Sequence, residues 1–143
     1  MVFFGIFQYN KIEYGGLFIY MSAQKKILIV DDEKPMARAL QLKLDHSGFE
    51  TKVVNQGAEA LNVLEREKFN LVLLDLMMPN LDGFGVLMEL QKRKINTPII
   101  VTSNLSQRED EKRAMELGAQ HYFVKSNTPL SKIVDYVKKT LKV

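Results

Sequence analysis

The residues that decide the fold are 71–83, which read LVLLDLMMPNLDG. Leu71 to Leu74 form an unbroken apolar run, and such a run is typical of a strand buried on both faces of a parallel sheet. The run stops at Asp75, so we predict this carboxylate at the edge where parallel sheets bind their ligands. Pro79 cannot continue the strand because it lacks a backbone donor. Asp82 is suited to cap a helix that follows the loop.

Four other segments of the chain repeat this pattern of apolar strand, polar strand end and helix. The five predicted strands are Ile27–Val30, Phe49–Val54, Leu71–Leu74, Pro98–Val101 and Tyr122–Val124. Strands that alternate with helices in this way indicate parallel βαβ units with helices on both faces of one sheet. We therefore predict an α/β fold, a doubly wound five-stranded parallel sheet with the flavodoxin-like order 2-1-3-4-5 and five helices. The helix after the third strand is predicted to bury Phe84, Leu87, Met88 and Leu90.

Length and composition narrow the classes of protein that fit. The chain has 143 residues, which suits a domain with one core. It contains no cysteine, which excludes disulfides and thiolate metal sites. The net charge of +3 is too small to indicate nucleic-acid binding, and no apolar run has the length of a membrane span or the flanks of a secretory signal. We therefore expect no nucleic-acid partner, no membrane insertion and a cytoplasmic location.

The first twenty residues differ in composition from the rest of the chain. They hold seven of the thirteen aromatic residues, and only Lys11 and Glu13 among them are charged. We predict that residues 1–21 are an N-terminal extension of uncertain structure and that residues 22–143 form the domain. A hydrophobic docking or dimerisation segment is the alternative interpretation of the extension.

Polar groups end four of the predicted strands at one edge of the sheet. Asp31 and Asp32 follow the first strand and Asp75 follows the third, and the predicted strand order makes these strands neighbours. The three carboxylates are therefore expected to meet, where they repel one another and call for a cation; oxygen ligands suit Mg²⁺ better than zinc. Thr102 and Lys125 end the fourth and fifth strands at the same edge. A cation, an ammonium and a hydroxyl around one carboxylate suit a transferring phosphoryl group, with Asp75 as its nucleophile.

The order and spacing of these residues resemble the receiver domain of two-component response regulators, in its stand-alone, chemotaxis-regulator-like form. The resemblance covers about residues 25–142. It is carried by Ile29-Val30-Asp31-Asp32-Glu33, Asp75 with Met78-Pro79 and Asp82-Gly83, Val101-Thr102-Ser103, Gly118-Ala119 and Tyr122-Phe123-Val124-Lys125. Each segment is weak alone, but their order and spacing together are highly specific.

The resemblance implies a function and a role for each site residue. Asp75 would accept a phosphoryl group from a phosphohistidine on a sensor histidine kinase or a phosphotransfer protein. The implied Mg²⁺ ligands are Asp31 (largely through water), Asp32, Asp75 and the backbone carbonyl of Met77. Thr102 and Lys125 would contact the phosphoryl oxygens, and Tyr122 takes the place of the switch aromatic. Thr102 and Tyr122 would form the switch: the Thr102 hydroxyl would move toward the phosphoryl group, and the Tyr122 ring would turn inward to fill the space, so that phosphorylation shifts an existing equilibrium. An unknown downstream protein would bind the face formed by the fourth helix, the fifth strand and the fifth helix.

The chain departs from the family pattern at Ser126, where the family usually has a proline, and at Ser103, where an alanine is more usual. Two other functions are alternatives. A phosphatase resembling haloacid dehalogenases would carry a second aspartate where this chain has Met77, so we expect a phosphoacceptor signalling protein rather than an enzyme. A phosphorylation-independent interaction module is the other alternative, and the complete set of acids, threonine and lysine argues against it. Because the chain ends at Val143, just after the fifth helix, the expected protein is a stand-alone phosphorylation switch.

Overall fold

The computed structural model of the protein describes residues 2–4 and 7–143, with side chains described from residue 9 onward. The described strands are β1 (Val2–Phe4), β2 (Phe7–Tyr14), β3 (Leu17–Ser22), β4 (Lys26–Val30), β5 (Glu50–Val54), β6 (Leu71–Leu74), β7 (Ile99–Ser103) and β8 (His121–Val124). The helices are α1 (Lys34–His46), α2 (Gly57–Arg66), α3 (Gly83–Lys92), α4 (Arg108–Glu116) and α5 (Leu130–Leu141), with a 3₁₀ turn at Lys125–Asn127. None of the described helices has the length and hydrophobicity needed to span a bilayer.

The five strands from β4 onward form one parallel sheet in the order β5-β4-β6-β7-β8. Counted from β4, this is the order 2-1-3-4-5, so the prediction of the fold is confirmed. Val30 is the register partner of Leu74, so β4 and β6 end level with each other. The residues that follow them, Asp31 and Asp75, therefore leave the sheet side by side.

Alternate side chains of each strand enter the two cores that cover the two faces of this sheet. On β4, Leu28 and Val30 pack into the core beneath α2, α3 and α4, whereas Ile27 and Ile29 pack into the core beneath α1 and α5. Strands buried on both faces need continuous apolar sequences, which explains why their runs are unbroken.

Helix α3 begins directly under the strand-end loop, as the cap at Asp82 predicts. The Oδ1 atom of Asp82 accepts a hydrogen bond from the backbone N–H of Gly85 at 2.8 Å. Gly83 lies so close to the strand end that a Cβ atom there would collide with the carbonyl oxygen of Asp75. The prediction for the buried face of α3 was wrong at one position, because Met88 is half exposed and Val86 is buried in its place.

The N-terminal segment forms a second sheet, β1-β2-β3, in which neighbouring strands are antiparallel. Gly15 and Gly16 connect β2 to β3 with φ angles of +55° and +84°, a conformation that favours glycine in a two-residue hairpin. No strand or helix was predicted here, and the predicted extension includes residues 1, 5 and 6, which lie outside the described residues. All side chains of β3 are exposed, and among the described residues neither core includes one before Ile27.

We expect a chain that begins at Met21 to keep its stability, because the two cores of the parallel sheet draw on residues from Ile27 onward. The free energy of unfolding, measured by urea titration followed by circular dichroism, should change by less than about 0.5 kcal/mol. A loss of several kcal/mol would contradict the boundary at residue 22, since it would mean that the first sheet stabilises the domain.

Candidate functional site

Three aspartates meet at the carboxyl ends of β4 and β6. One carboxylate oxygen from each of Asp31, Asp32 and Asp75 lies within 4.8 Å of the others. Asp31 and Asp75 are almost completely buried, whereas Asp32 is open to solvent. The structure therefore brings together the three carboxylates that the strand order predicted to meet, and leaves one side of the group accessible.

The two carboxylate oxygens of Asp75 have different surroundings. Oδ1 accepts a hydrogen bond from the backbone N–H of Met77 at 3.1 Å. Oδ2 is buried and has no hydrogen-bond partner among the described residues, and it lies 3.5 Å from the Nζ atom of Lys125. An unsatisfied oxygen of this kind is costly in a protein interior. Oδ2 is thus the oxygen that is available to a ligand.

Lys125 supplies the positive charge of the site, from the turn that follows β8. Its buried ammonium lies 2.8 Å from Oδ2 of Asp31 and 3.2 Å from Oε1 of Glu33, closer to both than to Asp75. Burial by itself lowers the pKa of Lys125, but its contacts with the three carboxylates outweigh burial and raise the pKa above the ordinary value. Lys125 therefore stays charged and is shared among the acids.

Glu33 is the site residue that the sequence analysis left without a role. It belongs to the acidic run Asp31-Asp32-Glu33, which is the signal that points to it. Its distance from Lys125 depends on how the side chains fold back over the strand ends, which the sequence pattern does not specify.

The peptide bonds of the described residues are all trans, including the one before Ser126.

The acidity of Asp75 follows from its burial. Burial raises the pKa of this carboxyl to about 7, Lys125 opposes the rise, and Asp31 and Asp32 add to it. A buried carboxylate cluster with one free oxygen and too little positive charge has the chemistry of a cation site. The three aspartates are therefore suited to hold Mg²⁺, in agreement with the predicted ligand type.

Thr102 and Tyr122, the two predicted switch residues, lie on the neighbouring strands β7 and β8. Thr102 is buried at the end of β7. Tyr122 is also buried, and its hydroxyl donates a hydrogen bond of 2.8 Å to the carbonyl oxygen of Leu105. Burial raises the pKa of the Tyr122 phenol. The ring thus occupies the inward position, which is the one that phosphorylation is expected to favour.

Comparison with known proteins gives consistent matches to one family. Residues 27–138 match the family model of the response regulator receiver domain. A probable transcriptional regulator, ycf27, of Porphyridium aerugineum is 44% identical over 106 residues, which cover 74% of this chain and 44% of that protein. The alkaline phosphatase synthesis transcriptional regulatory protein PhoP of Bacillus subtilis is 39% identical over 105 residues, which cover 73% of this chain and 44% of that protein. This chain spans less than half the length of these curated relatives.

Solved structures with the same fold include two with sequence identity above 30%. The receiver domain of the Francisella response regulator 1452 has a TM-score of 0.79 and 31% identity, over 83% of this chain and 98% of that chain. The response regulator TrrA of Thermotoga maritima, solved in complex with Mg(2+)-BeF, has a TM-score of 0.72 and 32% identity, over 82% of this chain and 99% of that chain.

We expect Asp75→Asn to stabilise the metal-free protein at neutral and alkaline pH. The folded-state pKa of Asp75 is raised from 3.8 to about 7, so the wild type loses stability as the pH rises through this interval. The variant carries no such charge, and its advantage should grow from pH 4 to 7 and then level off, at about 4 kcal/mol because each pKa unit corresponds to about 1.4 kcal/mol. Urea unfolding in EDTA at several pH values measures it.

Asp135→Asn, which removes an exposed carboxylate from α5, is the matched control and should show no such gain. If Asp75→Asn were less stable than the wild type at pH 8, the carboxylate of Asp75 would be stabilising. The conclusion that the site holds too little positive charge for its carboxylates would then be wrong.

Proposed function

This chain belongs to the response regulator receiver family, and from that membership we propose that it is a phosphoacceptor whose acceptor residue is Asp75. The observation that carries the proposal is Oδ2 of Asp75, which is buried, lacks a hydrogen-bond partner in the described structure and faces the ammonium of Lys125. A nucleophile that needs no displacement of a hydrogen-bonded partner is ready to form a bond.

The proposed reaction is transfer of a phosphoryl group from a phosphohistidine to Asp75. Oδ2 of Asp75 attacks the phosphorus atom, the phosphorus–nitrogen bond breaks, and the bonding electron pair leaves with the imidazole, which takes up a proton. The product is an acyl phosphate, and the donor is a sensor histidine kinase or a histidine phosphotransfer protein. Asp75 must be ionised to attack. Because its pKa is about 7 in the absence of a cation, added positive charge would increase the ionised fraction of Asp75.

The residues around Asp75 have separate tasks in this proposal. Mg²⁺ would be held by Asp31, Asp32, Asp75 and the backbone carbonyl of Met77, and when bound it would offset negative charge on the acids and the phosphoryl oxygens. Lys125, 3.5 Å from Oδ2, is placed to donate to a phosphoryl oxygen. The hydroxyl of Thr102 is the second proposed donor to the phosphoryl group.

The proposed output is a change in the population of Tyr122 orientations. The inward ring with its hydrogen bond to Leu105 is assigned to the state that phosphorylation favours, and an outward ring to the other state. A partner that binds the face formed by α4, β8 and α5 would distinguish the two orientations, so phosphorylation would shift an existing equilibrium.

In this proposal residues 22–143 act as a receiver domain in the cytoplasm, and residues 1–21 are an extension. The curated relatives are named as transcriptional regulators and are more than twice as long as the matched segment. The expectations of a stand-alone protein and of no nucleic-acid partner are therefore not extended to the whole protein. That the domain is not an enzyme acting on other substrates remains a prediction.

We expect incubation with acetyl phosphate and Mg²⁺ to add one phosphoryl group, with the lability to hydroxylamine of an acyl phosphate. Asp75→Asn should abolish the labelling because the nucleophilic oxygen is lost, and EDTA should stop it because the acids then lack their cation. Intact-mass spectrometry measures the addition. Asp135→Asn should be labelled like the wild type, and labelling of Asp75→Asn at the wild-type level would overturn the acceptor assignment.

We expect Thr102→Ala to separate metal binding from the output. Amide NMR shifts caused by Mg²⁺ alone should be largely preserved, because the hydroxyl is not among the proposed metal ligands. Shifts that beryllofluoride, a phosphoryl mimic, produces at Tyr122, α4 and α5 should shrink, while Thr51→Ala on the distant strand β5 should retain them. Confinement of the wild-type shifts to the loop around Asp75 would contradict the proposed output face.

A further inference from the structure

Glu33 forms part of the rim of the site through three contacts. Its backbone N–H donates to Oδ1 of Asp31 at 2.9 Å. Its Oε1 atom accepts a hydrogen bond from Nζ of Lys125 at 3.2 Å and one from Nδ2 of Asn104 at 3.4 Å. Glu33 thus connects the end of β4, the turn after β8 and the loop after β7 across the entrance to Asp75.

We propose that Glu33 is a positioning residue that holds Lys125 back from Asp75 and so opposes phosphorylation. The proposal rests on the proposed function, since it concerns the lysine that would contact the phosphoryl group. Lys125 has three N–H donors, and its two shortest distances are to Asp31 and Glu33 rather than to Asp75. A phosphoryl group on Oδ2 of Asp75 would need donors that Glu33 and Asp31 now engage.

Of these two competitors, Glu33 is the one that can release the lysine. Asp31 is buried at the strand end with a side chain 3% exposed, whereas the side chain of Glu33 is 48% exposed. Solvent can therefore hydrate Glu33 when its contact with Lys125 breaks. A half-exposed ion pair is weak, so the restraint is one that a strong acceptor such as a phosphoryl oxygen can overcome. The exchange turns Lys125 from Glu33 toward Asp75.

The negative charge of Glu33 opposes phosphorylation, as its ion pair with Lys125 does. A carboxylate at the rim repels an incoming dianionic donor and the phosphoryl group once attached. Removing this charge therefore favours the phosphorylated state twice, by freeing the lysine and by ending the repulsion. If Glu33 instead moved with Lys125 to support the phosphoryl group, its removal would have the opposite sign.

Asn104 sets how firmly Glu33 is held. Its amide is the second donor to Oε1 of Glu33, so Asn104→Ala should loosen the carboxylate and reproduce part of the effect of Glu33→Gln. Because the two residues act through one contact, their effects should be less than additive in the double variant.

The deciding experiment is a titration of beryllofluoride in saturating Mg²⁺, followed by amide NMR, on the full chain. We expect Glu33→Gln to bind beryllofluoride about two- to fivefold more tightly than the wild type, a range set by the half-exposed position of the pair. Glu33→Ala, which also lacks the charge, should agree in sign. Glu50→Gln removes the same charge from an exposed position at the opposite end of the sheet and should leave the affinity unchanged.

A second measurement tests the restraint itself without metal or mimic. In the metal-free protein, the ¹⁵N resonance of the Lys125 ammonium should shift in Glu33→Gln and stay in place in Glu50→Gln. Equal or weaker beryllofluoride binding by Glu33→Gln, or an unmoved Lys125 resonance, would overturn the proposal. Failure of the wild type to bind the mimic at all, or undiminished binding by Asp75→Asn, would instead overturn the proposed function.

Discussion

A shortage of positive charge at the carboxyl end of the parallel sheet governs the site. Lys125 is placed among Asp31, Glu33 and Asp75, and Asp32 adds a further negative charge nearby. Because two of these carboxylates are buried, their charge is costly unless it is paired. The position of the lysine and the protonation of Asp75 are therefore linked, and any charge that enters the site changes both.

The backbone of the domain was predictable because it follows from periodicity and from rules of topology. Apolar runs identified four of the five strands of the parallel sheet, β5 being more polar. Alternation with helices led to the strand order, which the pairing of β4 with β5 and β6 confirms. The meeting of Asp31, Asp32 and Asp75 was predictable for the same reason, since it depends on where strands end rather than on how side chains turn.

Side-chain arrangements were less predictable, because they differ by small distances or by a single rotamer. The ion pairs of Lys125 range only from 2.8 to 3.5 Å, and no spacing in the sequence ranks such partners. Tyr122 is inward and donates a hydrogen bond to the carbonyl of Leu105, a contact between β8 and the loop after β7. On α3, Met88 and Val86 are both apolar, so the pattern alone did not decide which of them is buried. The pair Gly15-Gly16 is a hairpin signal that could have predicted β2 and β3. It was missed because residues 1–20 were judged by their aromatic content and not by their turn residues.

The order of the strands also affects how the chain folds while the ribosome synthesises it. Of the strands in the parallel sheet, β4 is synthesised first, yet it lies between β5 and β6, with Ile27 opposite Leu71 of β6. The nascent chain must therefore grow by more than forty residues before this strand, which is apolar from Ile27 to Val30, is covered on that side. The strands of the N-terminal sheet are near neighbours in sequence, so they can pair long before β6 is synthesised. During that interval β4 presents an unpaired apolar edge, which is the situation in which emerging chains associate with one another or with chaperones.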